Sequence, residues 1–280
     1  MRVHITLWND NHILPRMAGW LEEHNGWTIG DKPDPSADVN YYMPYLMWTE
    51  ETHPDTLTTG WFTHYEEGTK SKMQIWHDAA TFIDMPLVTS PIYYASLEKS
   101  RLVTPGVERD RYTPVKRKAN DKPRLGIAGI GQPRKGPYLI VDLYYSGIEA
   151  RVDLVGTNWP FPHVIVGNQN MPDWYRNLDV YVCTSSIEGI PAPVLEALAT
   201  DVKVVIPDGV GICDQLPEME GLRHYRKNDG PDMIRAIKQA LDDKPSEGSL
   251  RDVTADYTVD DWCYSHRRAM EALLDADLSV

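Results

Sequence analysis

The 280-residue sequence is short of cysteine, of phenylalanine and of positive charge. Its three cysteines, Cys183, Cys213 and Cys263, are odd in number and far apart, with no Cys-x-x-Cys or Cys/His metal spacing. That pattern argues against a disulfide or zinc framework and fits a reducing compartment. Lys and Arg number 28 against 41 Asp and Glu, a formal net charge of −13. Nonspecific binding to nucleic acid or to an anionic membrane needs basic surface, so the balance disfavours both, while a local basic pocket stays open. No stretch approaches the roughly 18 apolar residues of a membrane span. The opening Val3-His4-Ile5-Thr6-Leu7-Trp8 is a short strand pattern without the apolar run of a secretory leader, so the expected location is the cytoplasm. Three Phe stand against nine Trp and fifteen Tyr. Rings with polar handles serve packing or line wet clefts, and most of these are expected in the core.

What is present is alternation of strand and helix. In the first half, strand patterns cover 3–8, 38–42, 57–64, 85–89 and 102–103, and helical spacing covers 13–24, 69–83 and 92–99. A charged stretch without apolar periodicity, 115–124, with Lys116, Arg117, Lys118 and Lys122, reads as a linker. The second half restarts the pattern, with strands at 125–129, 150–155, 164–166, 180–183 and 203–206. Its helices are expected at 135–145, 171–178, 193–199, 231–241 and 258–274. Such alternation predicts an α/β fold, two Rossmann-like domains with parallel sheets facing a cleft.

Residues 184–200 carry the chemistry. Glu188 and Glu196 have seven residues between them, and Gly189-Ile190-Pro191-Ala192-Pro193 lies in that interval, between a strand and a helix. A helix N-terminus offers unpaired N–H groups and partial positive charge, a natural seat for phosphate. Pro193 suits the first helical position, which places Glu196 in the first turn. Gly189 lets backbone approach a ligand. Carboxylates on either side of a phosphate seat can accept bonds from sugar hydroxyls, so the pair suits a nucleotide-sugar. A Glu in the first turn is also good helix-dipole chemistry, worth about 0.3–1 kcal/mol, and spacing leaves both readings open.

Asp179 to Ala199, a strand followed by Ser and Glu-x7-Glu running into a helix, resembles the signature of retaining GT-B glycosyltransferases, family 4-like. Val103-Thr104-Pro105-Gly106-Val107-Glu108-Arg109-Asp110-Arg111-Tyr112-Thr113-Pro114 is similar to the interdomain segment of that family. Leu125 to Gly136 resembles its glycine-rich loop ending in Lys-Gly, Leu154-Val155-Gly156 its next strand, and Tyr257 to Trp262 its aromatic segment before a last helix. The resemblance implies an N-terminal acceptor-side domain, 1–114, and a donor domain, 115–257. A C-terminal helix, 258–280, would cross back to the first domain.

The resemblance also implies roles. Glu196 would bind the ribose hydroxyls of the donor, and Glu188 would touch the transferred sugar and order the loop. Lys135, with Arg134, would neutralise the departing diphosphate, a preplaced charge facing a developing one. Gly129 and Gly131 would give room at the phosphates, alongside the loop Gly189, Ile190, Pro191 and Ala192. Asn168 would lie near the nucleobase. His64, ending a strand, would stand beside the reacting sugar as a catalytic residue, whereas His77 inside a helix reads as structural. The family often has an arginine six residues before the lysine; here Gly129 stands there. Asn9, Asp10 and Asn11 occupy the first loop, without its usual glycines. Tyr41, Tyr42, Tyr45 and Trp48 are either an acceptor platform or core.

The implied reaction moves a hexose from a UDP- or GDP-sugar to a hydroxyl acceptor with retained configuration. No metal site and no cofactor beyond the nucleotide-sugar substrate is expected; Asp275-Ala276-Asp277 reads as a solvated helix end. Alternatives remain: a GT-B-shaped protein that only binds nucleotide-sugar, a hydrolytic or epimerising enzyme on the same scaffold, and a transferase acting on a modified DNA base.

Overall fold

A computed structural model describes residues 1–8, 13–52, 54–66, 70–116 and 120–277. The sequence expectations for Asn9, Asp10 and Asn11, and for Arg117 and Lys118 of the linker, lie outside the described residues. The chain forms two compact units, Met1–Gly106 with Val259–Val280, and Val107–Thr258.

The first unit contains β1 (Val3–Thr6), α1 (Ile13–Asn25), β2 (Thr28–Gly30), β3 (Val39–Tyr42), β4 (Leu57–Trp61), α2 (Lys70–Phe82), β5 (Met85–Val88), α3 (Pro91–Tyr94) and β6 (Arg101–Leu102). Its sheet has the order β2-β1-β3-β4-β5-β6, with every neighbouring pair parallel. A parallel sheet is covered on both faces, and β3 is buried at all four positions. The aromatic excess fills this core: Tyr45 stacks on Phe62 with centroids 4.7 Å apart, and Trp76 meets both rings edge-on. Tyr41, Tyr42, Tyr45 and Trp48 are all buried, so they are core rather than an acceptor platform.

The C-terminal helix, Val259–Asp277, belongs to this unit and packs beside α1. Asn25 Nδ2 donates to the Cys263 carbonyl at 3.1 Å. His266 is fully buried: its Nδ1 donates to the Trp262 carbonyl at 2.8 Å, so Nε2 is left to accept from the Tyr41 hydroxyl at 3.1 Å. Burial pushes its pKa down to about 3.

The second unit contains β7 (Arg124–Ile130), α4 (Pro137–Tyr145), β8 (Arg151–Thr157), α5 (Met171–Arg176), β9 (Val180–Val182), α6 (Ala192–Ala199), β10 (Lys203–Pro207), β11 (Leu222–Tyr225), α7 (Gly230–Asp242) and α8 (Ser249–Asp252). All strands are parallel, in the order β11-β10-β9-β7-β8. Alternate residues of β9 feed two cores, as the period of two requires. Val180 and Val182 join Leu139, Ile140, Met233 and Ile237 of α4 and α7. Tyr181 and Cys183 join Tyr175, Val194, Leu195 and Leu250 on the other face.

Several expected elements shift. Strand 57–64 ends at Trp61, whose partner Leu87 lies one residue from the end of β5, so His64 falls in the loop beyond. The helix expected over 92–99 is only Pro91–Tyr94, started by Ser90 Oγ, which accepts from the Ile92 amide at 3.3 Å. The strand expected at 164–166 shrinks to one bridge, Val164 with Val155; Val164 and Ile165 are exposed and have no sheet face to bury. Lys135 does not open α4. It ends a 3-10 turn, Pro133–Lys135, and Gly136 at φ 62° then re-aims the chain into a helix with Pro137 at its first position.

Candidate functional site

The order of the second sheet fixes where a site belongs. From β7 the chain moves to β8 on one side, and β9 returns to the opposite side of β7. The loops after β7 and β9 therefore part at the carboxyl ends of adjacent strands, the switch point where open α/β sheets bind ligands.

Those two loops are stitched together. The Ser186 amide donates to the Arg134 carbonyl at 2.7 Å, and the Thr184 hydroxyl to the Lys135 carbonyl at 2.6 Å. At Gly136 a Cβ would lie 2.3 Å from the Thr184 carbonyl oxygen, so the approach requires glycine. The stitching brings side chains together as well. Glu188 Oε1 accepts from Lys135 Nζ and from the Ser185 hydroxyl at 2.9 Å, and forms an ion pair with Arg134 at 3.1 Å. Arg134 also donates to the Ile187 carbonyl at 3.2 Å. Lys135 and Glu188 are nearly buried, at 13% and 9% side-chain exposure, so these charges interact with little solvent screening. Two cations face one carboxylate, a cluster with net positive charge at the end of a parallel sheet. Gly129, at φ 138°, lies under the lysine, and a Cβ there would come within 3.2 Å of Lys135 Cε. Gly131 has another neighbour: its Cβ would meet the Asn158 carbonyl oxygen at 2.4 Å.

Beyond the cluster, Gly189, Ile190 and Pro191 lead into α6, which begins at Ala192. The helix thus starts one residue before Pro193, and Glu196 lies in the second turn instead of the first, too deep for the helix-dipole role. Glu196 is buried, and each of its carboxylate oxygens accepts from a phenol: Oε1 from Tyr112 at 2.8 Å and Oε2 from Tyr175 at 2.9 Å. Asn168 opens a 3-10 turn, Asn168–Asn170, and Arg111 donates both to its carbonyl oxygen and, at 3.1 Å, to its Oδ1.

The structure therefore gathers Gly129, Arg134, Lys135 and Glu188 at one place and sets Glu196 and Asn168 in the same unit. His64 belongs to the other unit. Its Nε2 lies 2.9 Å from Glu66 Oε1, and Lys72 Nζ donates to Glu66 Oε2 at 2.7 Å. Burial pushes the Glu66 carboxyl up, but the hydrogen bonds from Lys72 and His64 outweigh it and hold the group below its ordinary range. His77 is exposed on α2 and sits 3.3 Å from the Tyr65 hydroxyl.

Sequence reasoning missed Ser185, Tyr112, Tyr175 and Arg111. Only Ser185 left a signal, by standing three residues before Glu188. Among the described residues there is no cluster of His, Cys, Asp or Glu able to hold a metal, and no helix long and apolar enough to cross a membrane.

Comparison with known proteins adds a second line of findings. Residues 111–243 match the family model described as glycosyl transferases group 1. Over 201 residues the chain is 28% identical to the lipopolysaccharide core biosynthesis mannosyltransferase LpsB of Rhizobium meliloti, covering 58% of this chain and 57% of that protein. The chain thus matches little more than half the length of that relative. Among solved structures, sucrose-phosphate synthase from Thermosynechococcus elongatus superposes with a TM-score of 0.74 at 15% identity, over 97% of this chain and 81% of its own. Anabaena HepE in complex with UDP superposes with a TM-score of 0.75 at 9% identity, over 97% and 99% of the two chains. At these identities the structural likeness bears on the fold.

Proposed function

We propose that the chain, which has the GT-B fold and matches the group 1 glycosyltransferase model over 111–243, is a glycosyltransferase that moves a hexose from a UDP- or GDP-sugar to an acceptor hydroxyl. In this reading the anomeric configuration is retained, and Arg134 and Lys135, not a divalent cation, take the charge of the departing diphosphate. The nucleotide-sugar is a substrate, and no resident cofactor is invoked. The reaction takes place in the cytoplasm, in keeping with three free cysteines that are all buried.

One observation carries the reading: the Arg134–Lys135–Glu188 cluster at the switch point, with Gly129 beneath the lysine. Breaking a sugar–phosphate bond leaves negative charge on the diphosphate. Cations held in place beforehand stabilise that charge without reorganising, and a shielded setting magnifies the effect. Glu188 pairs with the two cations; once a diphosphate takes them over, the carboxylate can accept from a hydroxyl of the transferred sugar. The loop Gly189, Ile190, Pro191 and Ala192 and the room at Gly129 and Gly131 serve the phosphates. Glu196 serves the ribose hydroxyls and Asn168 the base. His64 is the catalytic candidate of the N-terminal unit. HepE, of the same fold, has been crystallised with UDP-glucose, which supports a uridine nucleotide as the first donor to try.

The test is a panel of labelled UDP-, GDP- and ADP-sugars, assayed for transfer and for donor hydrolysis with and without EDTA. Turnover of one donor that persists in EDTA is expected. Nucleotide binding without turnover would make the chain a binding protein, and turnover abolished by EDTA would remove the cation-only account.

A further inference from the structure

The Glu196 carboxylate is buried, and a phenol donates to each of its oxygens. The phenols come from elements far apart in sequence, Tyr112 from the segment before the linker and Tyr175 from α5. A glutamate side chain loses rotamer freedom when it is fixed. One donor on each oxygen sets the plane of the carboxylate as well as its place. The phenols are themselves fixed. Tyr112 and Tyr175 meet edge-to-face with centroids 5.9 Å apart, and Tyr175 packs against Trp174 at 4.8 Å and Tyr181 at 5.8 Å. Burial, and then the charge of Glu196, push the Tyr175 phenol far up, so it remains a donor at any working pH. A carboxylate accepts about four hydrogen bonds in all, so phenols and sugar hydroxyls can share it. The same short segment also reaches the turn at Asn168. Arg111 lies over the Tyr112 ring at 5.3 Å and donates to the Asn168 carbonyl oxygen and Oδ1.

We propose that Tyr112 and Tyr175 are positioning residues that orient the Glu196 carboxylate toward the paired 2′ and 3′ ribose hydroxyls of a nucleoside diphosphate. The proposal rests on the donor reading given above. Neither tyrosine touches the ligand; each acts through Glu196, and Arg111 carries the same segment to the base side of the site.

The test compares UDP and GDP with their 2′,3′-dideoxy forms by titration calorimetry, using wild type, Y112F, Y175F and the double variant. Wild type is expected to bind the ribose form of its nucleotide more tightly than the dideoxy form. Each Tyr→Phe change should weaken ribose-form binding about three- to tenfold and leave dideoxy binding unchanged, so that the double variant hardly distinguishes the two. A parallel loss for both forms, or no loss for either, would mean that the tyrosines only satisfy a buried carboxylate, and would overturn the proposal while the donor reading stands. Equal wild-type affinity for ribose and dideoxy forms would overturn it too. If wild type binds neither UDP nor GDP, the donor reading fails and the proposal with it. Circular dichroism checks the fold of each variant; because the two rings come from separate elements, either single variant suffices for the comparison.

Discussion

In the Val107–Thr258 unit, the buried carboxylates Glu188 and Glu196 stand on the loop and helix that follow β9, facing two cations in one case and two phenols in the other. In the N-terminal unit, the buried His266 lies within the core, between the Trp262 carbonyl and the Tyr41 hydroxyl, and its chemistry is spent on packing. Both sheets are parallel and both bury ionisable groups. What separates them is placement: one is a charged cluster at the carboxyl end of adjacent strands, where we propose that an anion binds, whereas an imidazole sealed in an aromatic core must stay neutral. Burial alone does not mark a functional residue; the proposal rests on burial together with charge at the switch point.

The largest expected effect tests the packing side of that contrast and is read in stability. The folded pKa of His266 is depressed, so the unfolded chain binds more protons between about pH 6.5 and the folded value of about 3. Stability is full above that window and falls as pH drops through it, by roughly 1.4 kcal/mol per pH unit and on the order of 5 kcal/mol in all. Urea denaturation across this range should show that extra slope in wild type and its loss in H266Q; identical slopes would remove His266 from the core account. Next in size, K135A should lower transfer by about two to three orders of magnitude with the fold intact, and a drop of under threefold would break the claim for the cluster. E188Q should be milder and opposite in its two readouts. Diphosphate binding should stay equal or tighten, because a competitor for Lys135 and Arg134 is neutralised, while transfer falls about tenfold, the equivalent of about 1.4 kcal/mol. Weaker UDP or GDP binding in E188Q would show that the carboxylate helps hold the phosphates rather than competing with them. Smallest of all, H77Q on the exposed face of α2 should stay within about 0.5 kcal/mol of wild type in stability and leave transfer unchanged.

Much of this was legible in the sequence, for identifiable reasons. Alternating strand and helix patterns announced the parallel sheets, and Glu-x7-Glu with Lys135-Gly136 located the two loops that the structure joins. Short edge strands escaped: Thr28–Gly30 has three residues, and Leu222–Tyr225 carries Arg223 and His224 among its four. Val164-Ile165-Val166 misled because an apolar run cannot report that it has no face to cover. The start of α6 was misplaced because Pro191 and Pro193 are both plausible signals, and only the structure shows the chain turning helical at Ala192. The aromatic run at Tyr41, Tyr42 and Tyr45 was ambiguous because β3 is buried on both faces and shows no alternation. Tyr112 and Tyr175 were beyond reach, since they meet Glu196 across 84 and 21 residues of chain.

The central claim is that the crevice between the ends of β7 and β9 holds a diphosphate on Arg134 and Lys135. Titration calorimetry of UDP and GDP into wild type and K135A tests it most directly. The account predicts that wild type binds one of the two nucleotides, with affinity that weakens as salt rises, and that K135A loses most of it. Equal binding by both proteins, or none by wild type, would contradict it.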